Sequence, residues 1–319
     1  MTETMSTGAI AAPRFTPRAA RLPGYDLMVG PFLHLTAERD RLAALRWQNF
    51  DVRPVSATLG AEVRGIELGA ELPDDVIDEI RRALFEYKVL FFRDQPLTPD
   101  GHVAFASRFG ELDVHPALPA NGERPELVRF AKGADMAGFE NTWHHDVTWS
   151  DRPSMGAVLH AISVPDVGGD TLFSDMYAAY ESLGDDLKAR IEGLSAVHDF
   201  TRAFGLGRSA DEQAAMRAAH PSVVHPVVCT HAVTGRRHLY VNRIFTDRFE
   251  GMTAEESRPL LEQLCRQADY PEHQARLHWE PDTVAFWDNR GVQHYATSDY
   301  FPYVRIMERA SVIGERPVA

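Results

Sequence analysis

A chain of 319 residues with 44% hydrophobic and 25% charged residues has the make-up of a soluble globular protein, long enough for one large domain or two small ones. Its formal net charge of -13 speaks against a nucleic-acid partner, which requires clustered Lys and Arg to neutralise phosphates. With Cys229 and Cys265 as its two cysteines, it carries neither a disulfide framework nor a Cys-rich zinc or iron–sulfur site.

No apolar run reaches the ~18–20 residues of a membrane span. The first residues, rich in Ala, Pro and Thr, lack the apolar core of a secretion signal. The expectation is therefore a cytoplasmic protein with a flexible tail over residues 1–25 and a single domain over 26–319. In chain order, residues 36–49 read as a helix with Thr36 as N-cap. Residues 50–68 read as strands around a turn at Leu59-Gly60, and 73–87 as an amphipathic helix with Val76, Ile77, Ile80, Ala83 and Leu84 on one face. K-V-L-F-F-R at 88–93 has the length and continuous apolarity of a buried central strand, followed by a helix over 99–109 that stops at Gly110. Strands follow at 127–130, 156–161, 223–228, 239–241, 283–287 and 305–312, and helices at 176–183, 185–194 and 254–267. Strands dominate the centre and C-terminal half, with helices inserted between them, which suggests a β-sandwich or barrel decorated by helices. G-L-G-R-S-A at Gly205 lacks both the third glycine and the preceding strand of a dinucleotide fingerprint.

T-W-H-H-D-V-T-W at 142–149 carries the chemistry. Read as a strand, it places His144 and Asp146 on one face and His145 on the other. An imidazole and a carboxylate two residues apart can hold one ion, and His294, after the strand-like T-V-A-F-W, supplies a third ligand. Two histidines and a carboxylate form the facial triad of non-haem Fe(II) oxygenases. Downstream, residues 305, 307 and 309 share a strand face, so Arg305 and Arg309 can reach one pocket as carboxylate anchors. The alternative is a pair of surface arginines matched with Glu308 or Asp299.

The motifs L-G-A-E-V-R-G-I-E-L at Leu59, V-L-F-F-R-D-Q at Val89, F-G-E-L at Phe109, W-H-H-D-V-T-W at Trp143 and P-D-V-G-G-D-T-L-F at Pro165 run on in order. They continue through H-P-V-V at His225, T-G-R-R-H-L-Y-V-N at Thr234, W-D-N-R-G-V-Q-H-Y-A at Trp287 and R-I-M-E-R-A at Arg305. The whole set resembles the taurine dioxygenase (TauD/TfdA) family of Fe(II)- and 2-oxoglutarate-dependent oxygenases. The resemblance implies a mainly β (α+β) fold with a double-stranded β-helix (jelly-roll) core decorated by helices. It puts His144, Asp146 and His294 at the iron, and Thr171 and Arg305 at the distal carboxylate of 2-oxoglutarate. Arg309 stands at the second arginine position, close to cosubstrate and substrate. The implied reaction consumes O2 and releases succinate and carbon dioxide. Asp146, where halogenating relatives carry a small residue, favours hydroxylation.

For the substrate, the resemblance implies a small organic anion gripped by His115 and Arg309, with Phe204 lining the pocket. Two departures make taurine itself doubtful: Leu118 replaces a tyrosine, and Glu140 replaces an asparagine that contacts taurine's amine end. Glu140 is expected either to meet a substrate ammonium or to face solvent. His145, His225, His231 and His238 are read as structural or surface residues. The partners expected are a small-molecule anion and further copies of the chain (a dimer or tetramer), with no nucleic acid and no membrane. The competing readings are a tailoring oxygenase acting on an amino acid or natural-product intermediate, and a metal-dependent hydrolase or isomerase on a similar barrel.

Overall fold

The computed structural model describes residues 20–22, 28–136 and 140–319. Most of the expected tail, residues 1–19 and 23–25, therefore lies outside the described residues. Before His34, Ala20–Arg21 pairs antiparallel with Met28–Val29. The compact unit that carries the site spans His34–Ala319.

Its backbone is a seven-stranded sheet in the order Asp51–Pro54, Ala61–Arg64, Val89–Phe92, Val284–Asp288, Ser154–Ser163, Arg305–Ile313, Leu127–Lys132. Every pairing is antiparallel except Ala61–Arg64 with Val89–Phe92. The apolar run at 88–93 is thus an interior strand, as its lack of polar alternation predicts. Its even residues Leu90 and Phe92 join Val158, Phe286, Ala310 and Val312 on one face. The helices Asp74–Tyr87 and Pro99–Ser107 cover that face with Ile77, Ile80, Leu84, Phe105 and Ala106.

The opposite face presents Val89, Phe91, Ala157, Leu159, Ala161, Ala285, Trp287 and Met307. It packs on a smaller sheet ordered Gln274–Leu277, Thr171–Asp175, Val292–Ala296, through Phe173, Ala275, Leu277 and Val292. An isolated bridge between His144 and His294 widens the smaller sheet by one residue. A third sheet (Val223–Pro226, Ser195–His198, Thr246–Phe249) and the hairpin Val228–Thr230 with Arg237–Leu239 complete the β-structure. No helix among the described residues is long and apolar enough to cross a membrane.

Several boundaries depart from the sequence reading. The first helix is His34–Ala43, so Thr36 lies inside it rather than capping it, and residues 44–49 have left the helix. The predicted strand 223–228 is two strands in two sheets, divided at Val227. The predicted 239–241 strand sits two residues earlier, at Arg237–Leu239. The sequence reading also missed the strands Thr171–Asp175, Ser195–His198, Thr246–Phe249, Gln274–Leu277 and Val292–Ala296. G-L-G-R-S-A follows the one-turn helix Thr201–Phe204, not a strand, so no dinucleotide turn is formed.

Candidate active site

The two distant histidines meet through the backbone. His144 N–H donates to His294 O (3.1 Å) and His294 N–H donates to His144 O (2.9 Å), so the residues are cross-strand neighbours. Directly opposed residues in an antiparallel pair project from the same face, and here the ring centroids are 4.2 Å apart. Asp146 completes the group: its carboxylate oxygens lie 3.8 Å from His144 Nε2 and 3.7 Å from His294 Nε2. One ligand atom from each of the three falls within 4.8 Å of the others.

The expectation of a continuous strand through these residues is corrected. Only His144 forms a bridge; a turn begins at Asp146, and Val147 has φ of 60°. A left-handed conformation at a β-branched residue costs roughly 1–3 kcal/mol. It is sustained here by burial of Val147 with Trp149, Phe200 and Phe245. The consequence for the ligands is nevertheless the one alternation suggested: Asp146 joins His144, while His145 turns away and is buried against Tyr240, 4.8 Å between centroids. His225, His231 and His238 are likewise buried, with no surface member among them.

The donor set suits a divalent metal. His144 Nδ1 lies 2.7 Å from Thr142 O, which can only accept; the ring proton is therefore on Nδ1 and the Nε2 lone pair is left for an ion. Burial, then the neighbouring His144, pushes His294 down to about 3, keeping it a neutral ligand at neutral pH. Burial alone would raise the Asp146 carboxyl, but Arg309, His294 and His144 outweigh it and hold the group well below the ordinary carboxylate range. Asn289 fixes the turn: its Oδ1 accepts from Asp146 N–H (2.7 Å), and its Nδ2 donates to Asp146 O (2.9 Å) and Ser154 O (3.0 Å). Sequence reasoning missed Asn289, although it stands in the quoted W-D-N-R-G run.

Strand alternation places the anchors. Arg305, Met307 and Arg309 project from the large sheet towards Thr171 and His294 of the small one, and all five line one cleft with Lys132, Glu140, His144 and Trp287. The cleft spans about 570 Å³ outside the protein atoms when the open solvent at its mouth is counted. Arg305 Nε donates to Gly169 O (2.9 Å) and Nη2 reaches Thr171 Oγ1 (3.4 Å), which also accepts from Trp279 Nε1 (2.9 Å). Trp279 is a second member that sequence reasoning missed. Burial lowers Arg305, opposed by Tyr300, Glu140 and Asp170. Among the described residues no carboxylate lies within ion-pair distance of this buried guanidinium.

Neither arginine takes the bland partner. Glu308 pairs with Arg129 (2.6 Å), and Asp299 accepts from Gly169 N–H (2.8 Å). Arg309 Nη1 instead donates to Asp146 Oδ2 (2.8 Å), while its buried Nε has no partner. Glu140 lines the cleft and pairs with Lys132 at 3.0 Å. His115, Leu118 and Phe204 stand outside the cleft's lining. His115 packs against Trp149 and Phe204 (6.0 and 5.8 Å), and its Nδ1 accepts from the Ala117 and Leu118 amides. Burial, then Arg309, pushes His115 down to about 4, so the ring is neutral with its proton on Nε2.

Comparison with known proteins agrees with this geometry. Residues 51–311 match the "Taurine catabolism dioxygenase TauD, TfdA family". The chain is 34% identical over 277 residues to an alpha-ketoglutarate-dependent sulfate ester dioxygenase of Pseudomonas putida, covering 84% of this chain and 91% of that one. It is 36% identical over 282 residues to an (S)-phenoxypropionate/alpha-ketoglutarate-dioxygenase of Sphingobium herbicidovorans, covering 83% and 96%. The crystal structure of AAD-2 in complex with Mn(II) and N-oxalylglycine superposes with a TM-score of 0.74 at 29% identity, over 85% of this chain and 100% of that one. The fold and site therefore define a dioxygenase. The chain belongs to the TauD/TfdA family.

Proposed function

We propose that this protein hydroxylates an aliphatic C–H of a small organic anion (a sulfonate, sulfate ester or carboxylate), using Fe(II), 2-oxoglutarate and O2 and releasing succinate and carbon dioxide. One observation carries the reading: His144 and His294 of the His/Asp/His donor set line the same cleft as a buried arginine that has no carboxylate within ion-pair distance among the described residues. A dicarboxylic oxo-acid answers both needs, with one end for the metal and the other for the guanidinium. A double-stranded β-helix core over the single domain 26–319 is part of the same proposal, supported by the two sheets facing each other across Leu159, Phe173 and Met307.

Bound iron supplies the oxygen activation that couples decarboxylation of the oxo-acid to oxidation of the substrate. The chain does the holding. Thr171 Oγ1 accepts from Trp279 and Arg305, so its own proton is directed to a carboxylate. Leu159, Phe130, Met307 and Trp287 wall the cleft with apolar surface that excludes water. Arg309 Nε and His115 Nε2–H are donors suited to the anionic head of the substrate. Phe130, Leu159 and Met307 in the lining suit an alkyl or aryl group, and Leu118, apolar where taurine's partner is polar, adds to this only if the substrate reaches beyond that lining. The names of the sulfate ester and phenoxypropionate relatives support an anion of that kind. Because Glu140 is already paired with Lys132, an anion is favoured over an amino acid as substrate.

Succinate release across a panel of alkyl sulfates, sulfonates and aryloxy acids tests the reading. Arg309→Ala is expected to raise KM for the anionic substrate by about tenfold or more, the scale of one lost charged hydrogen bond. If only 2-oxoglutarate affinity falls, the substrate-anchor role is wrong.

A further inference from the structure

Strand pairing sets Lys132 directly opposite Arg305, and both side chains project into the cleft from the same face of the large sheet. Two like charges at directly opposed positions repel, and these two are nearly enclosed: Lys132 side chain is 8% exposed and Arg305 is 7% exposed. Such a pair is tolerated only when anionic groups lie between or beside the cations. Among the described residues Glu140 is such a group: its carboxylate pairs with Lys132 at 3.0 Å and acts electrostatically on Arg305 and Tyr300 as well. Lys132 Nζ also lies 3.7 Å from Met136 Sδ.

Resting on the cosubstrate reading above, we propose that Lys132 is a second cationic anchor for the distal carboxylate of 2-oxoglutarate, and that Glu140 is the internal counter-ion that competes with this carboxylate for Lys132. Arg305 commits Nε to Gly169 O and one Nη to Thr171. It therefore offers the carboxylate fewer donors than a free guanidinium would, and an ammonium beside it supplies what is lacking. Glu140, on the other side of Lys132, weakens that attraction and so sets how tightly the oxo-acid is held. Both residues act on binding and neither takes part in the oxidation.

The test is calorimetric titration of the full-length Mn(II)-loaded protein with 2-oxoglutarate, and with 2-oxopentanoate, which keeps the oxo-acid end but lacks the distal carboxylate. Lys132→Met is expected to weaken 2-oxoglutarate binding by about tenfold or more, and Glu140→Gln to tighten it by several-fold, the range of a hydrogen bond to a charged group. Neither substitution should move 2-oxopentanoate by more than about twofold. Unchanged 2-oxoglutarate affinity in Lys132→Met, or equal effects on both acids, overturns the proposal. Should Lys132→Met fail to fold, Glu140→Gln decides alone: unchanged or weaker binding overturns it. Failure of the unsubstituted protein to bind 2-oxoglutarate at all would instead sink the cosubstrate reading, a result distinct from equal binding across the variants.

Discussion

His144 and His145 are adjacent in sequence and opposite in environment. One holds its Nδ1 proton on a carbonyl and turns Nε2 to the cleft; the other is enclosed beside Tyr240 with neither ring nitrogen paired. His144→Ala should therefore lose bound iron in a metal assay. His145→Ala should keep it while losing about 1–3 kcal/mol of stability to the cavity left behind, read from a denaturant midpoint. Asn289 touches no proposed ligand side chain, yet it holds both backbone groups of Asp146. Asn289→Ala is expected to weaken metal affinity by about 10–100-fold, as loss of a residue orienting a ligand does. The ligands were legible because His-x-Asp and a distant His form a short pattern whose chemistry is specific. Asn289, Trp279 and the Lys132–Glu140 pair were not legible, because each acts through a partner far away in the chain, and no local spacing reports a contact across sheets.

At the level of elements, the long apolar or strongly amphipathic segments were read well: Asp74–Tyr87, Val89–Phe92 and Arg305–Ile313 lie within a residue or so of expectation. The misses share a cause. The helix Ala210–Ala219 buries none of its residues, so it has no apolar stripe to find; its one signal was the capping box of Ser209 and Glu212. Thr171–Asp175 and Val292–Ala296 are short and carry His294, Thr171 and Asp175 inward, so function replaces the apolar alternation that marks a strand. Gly169, which precedes the first of these, has φ of 71°, and an added Cβ would sit 3.1 Å from Arg305 Cδ. Gly169→Ala should cost about 1 kcal/mol in backbone strain and displace Arg305. Calorimetry should then show weaker 2-oxoglutarate binding with iron content unchanged.

Across the whole molecule, buried groups away from the cleft tie stability to pH. His102 is fully buried against Val158 O, and burial pushes it down to about 4. Unfolding returns it to its ordinary value of 6.5, so the unfolded chain binds the extra proton first. Its contribution is fully present above 6.5 and is lost as pH falls from there towards 4. For Glu38, burial acts upwards but Arg41, Lys88 and Arg236 outweigh it and bring it to about 2, so its contribution is lost between 4.5 and 2. Urea midpoints should accordingly fall in two stages on acidification. His102→Gln should reduce the first stage without abolishing it, because burial also lowers His34 and His238, and should leave the second.

The bridge between His144 and His294 has one more consequence, which concerns assembly. The two residues close a loop of about 150 residues, half the chain, and the smaller sheet is not widened until the later strand is in place. A metal held by both is thus a removable cross-link between an early and a late segment. Before residue 294 has left the ribosome, the first two ligands can offer only an incomplete chelate. Capture of the ion then reports that the C-terminal strands have docked. Mn(II) should raise the melting temperature of the intact protein in a concentration-dependent way and leave that of His144→Ala unmoved.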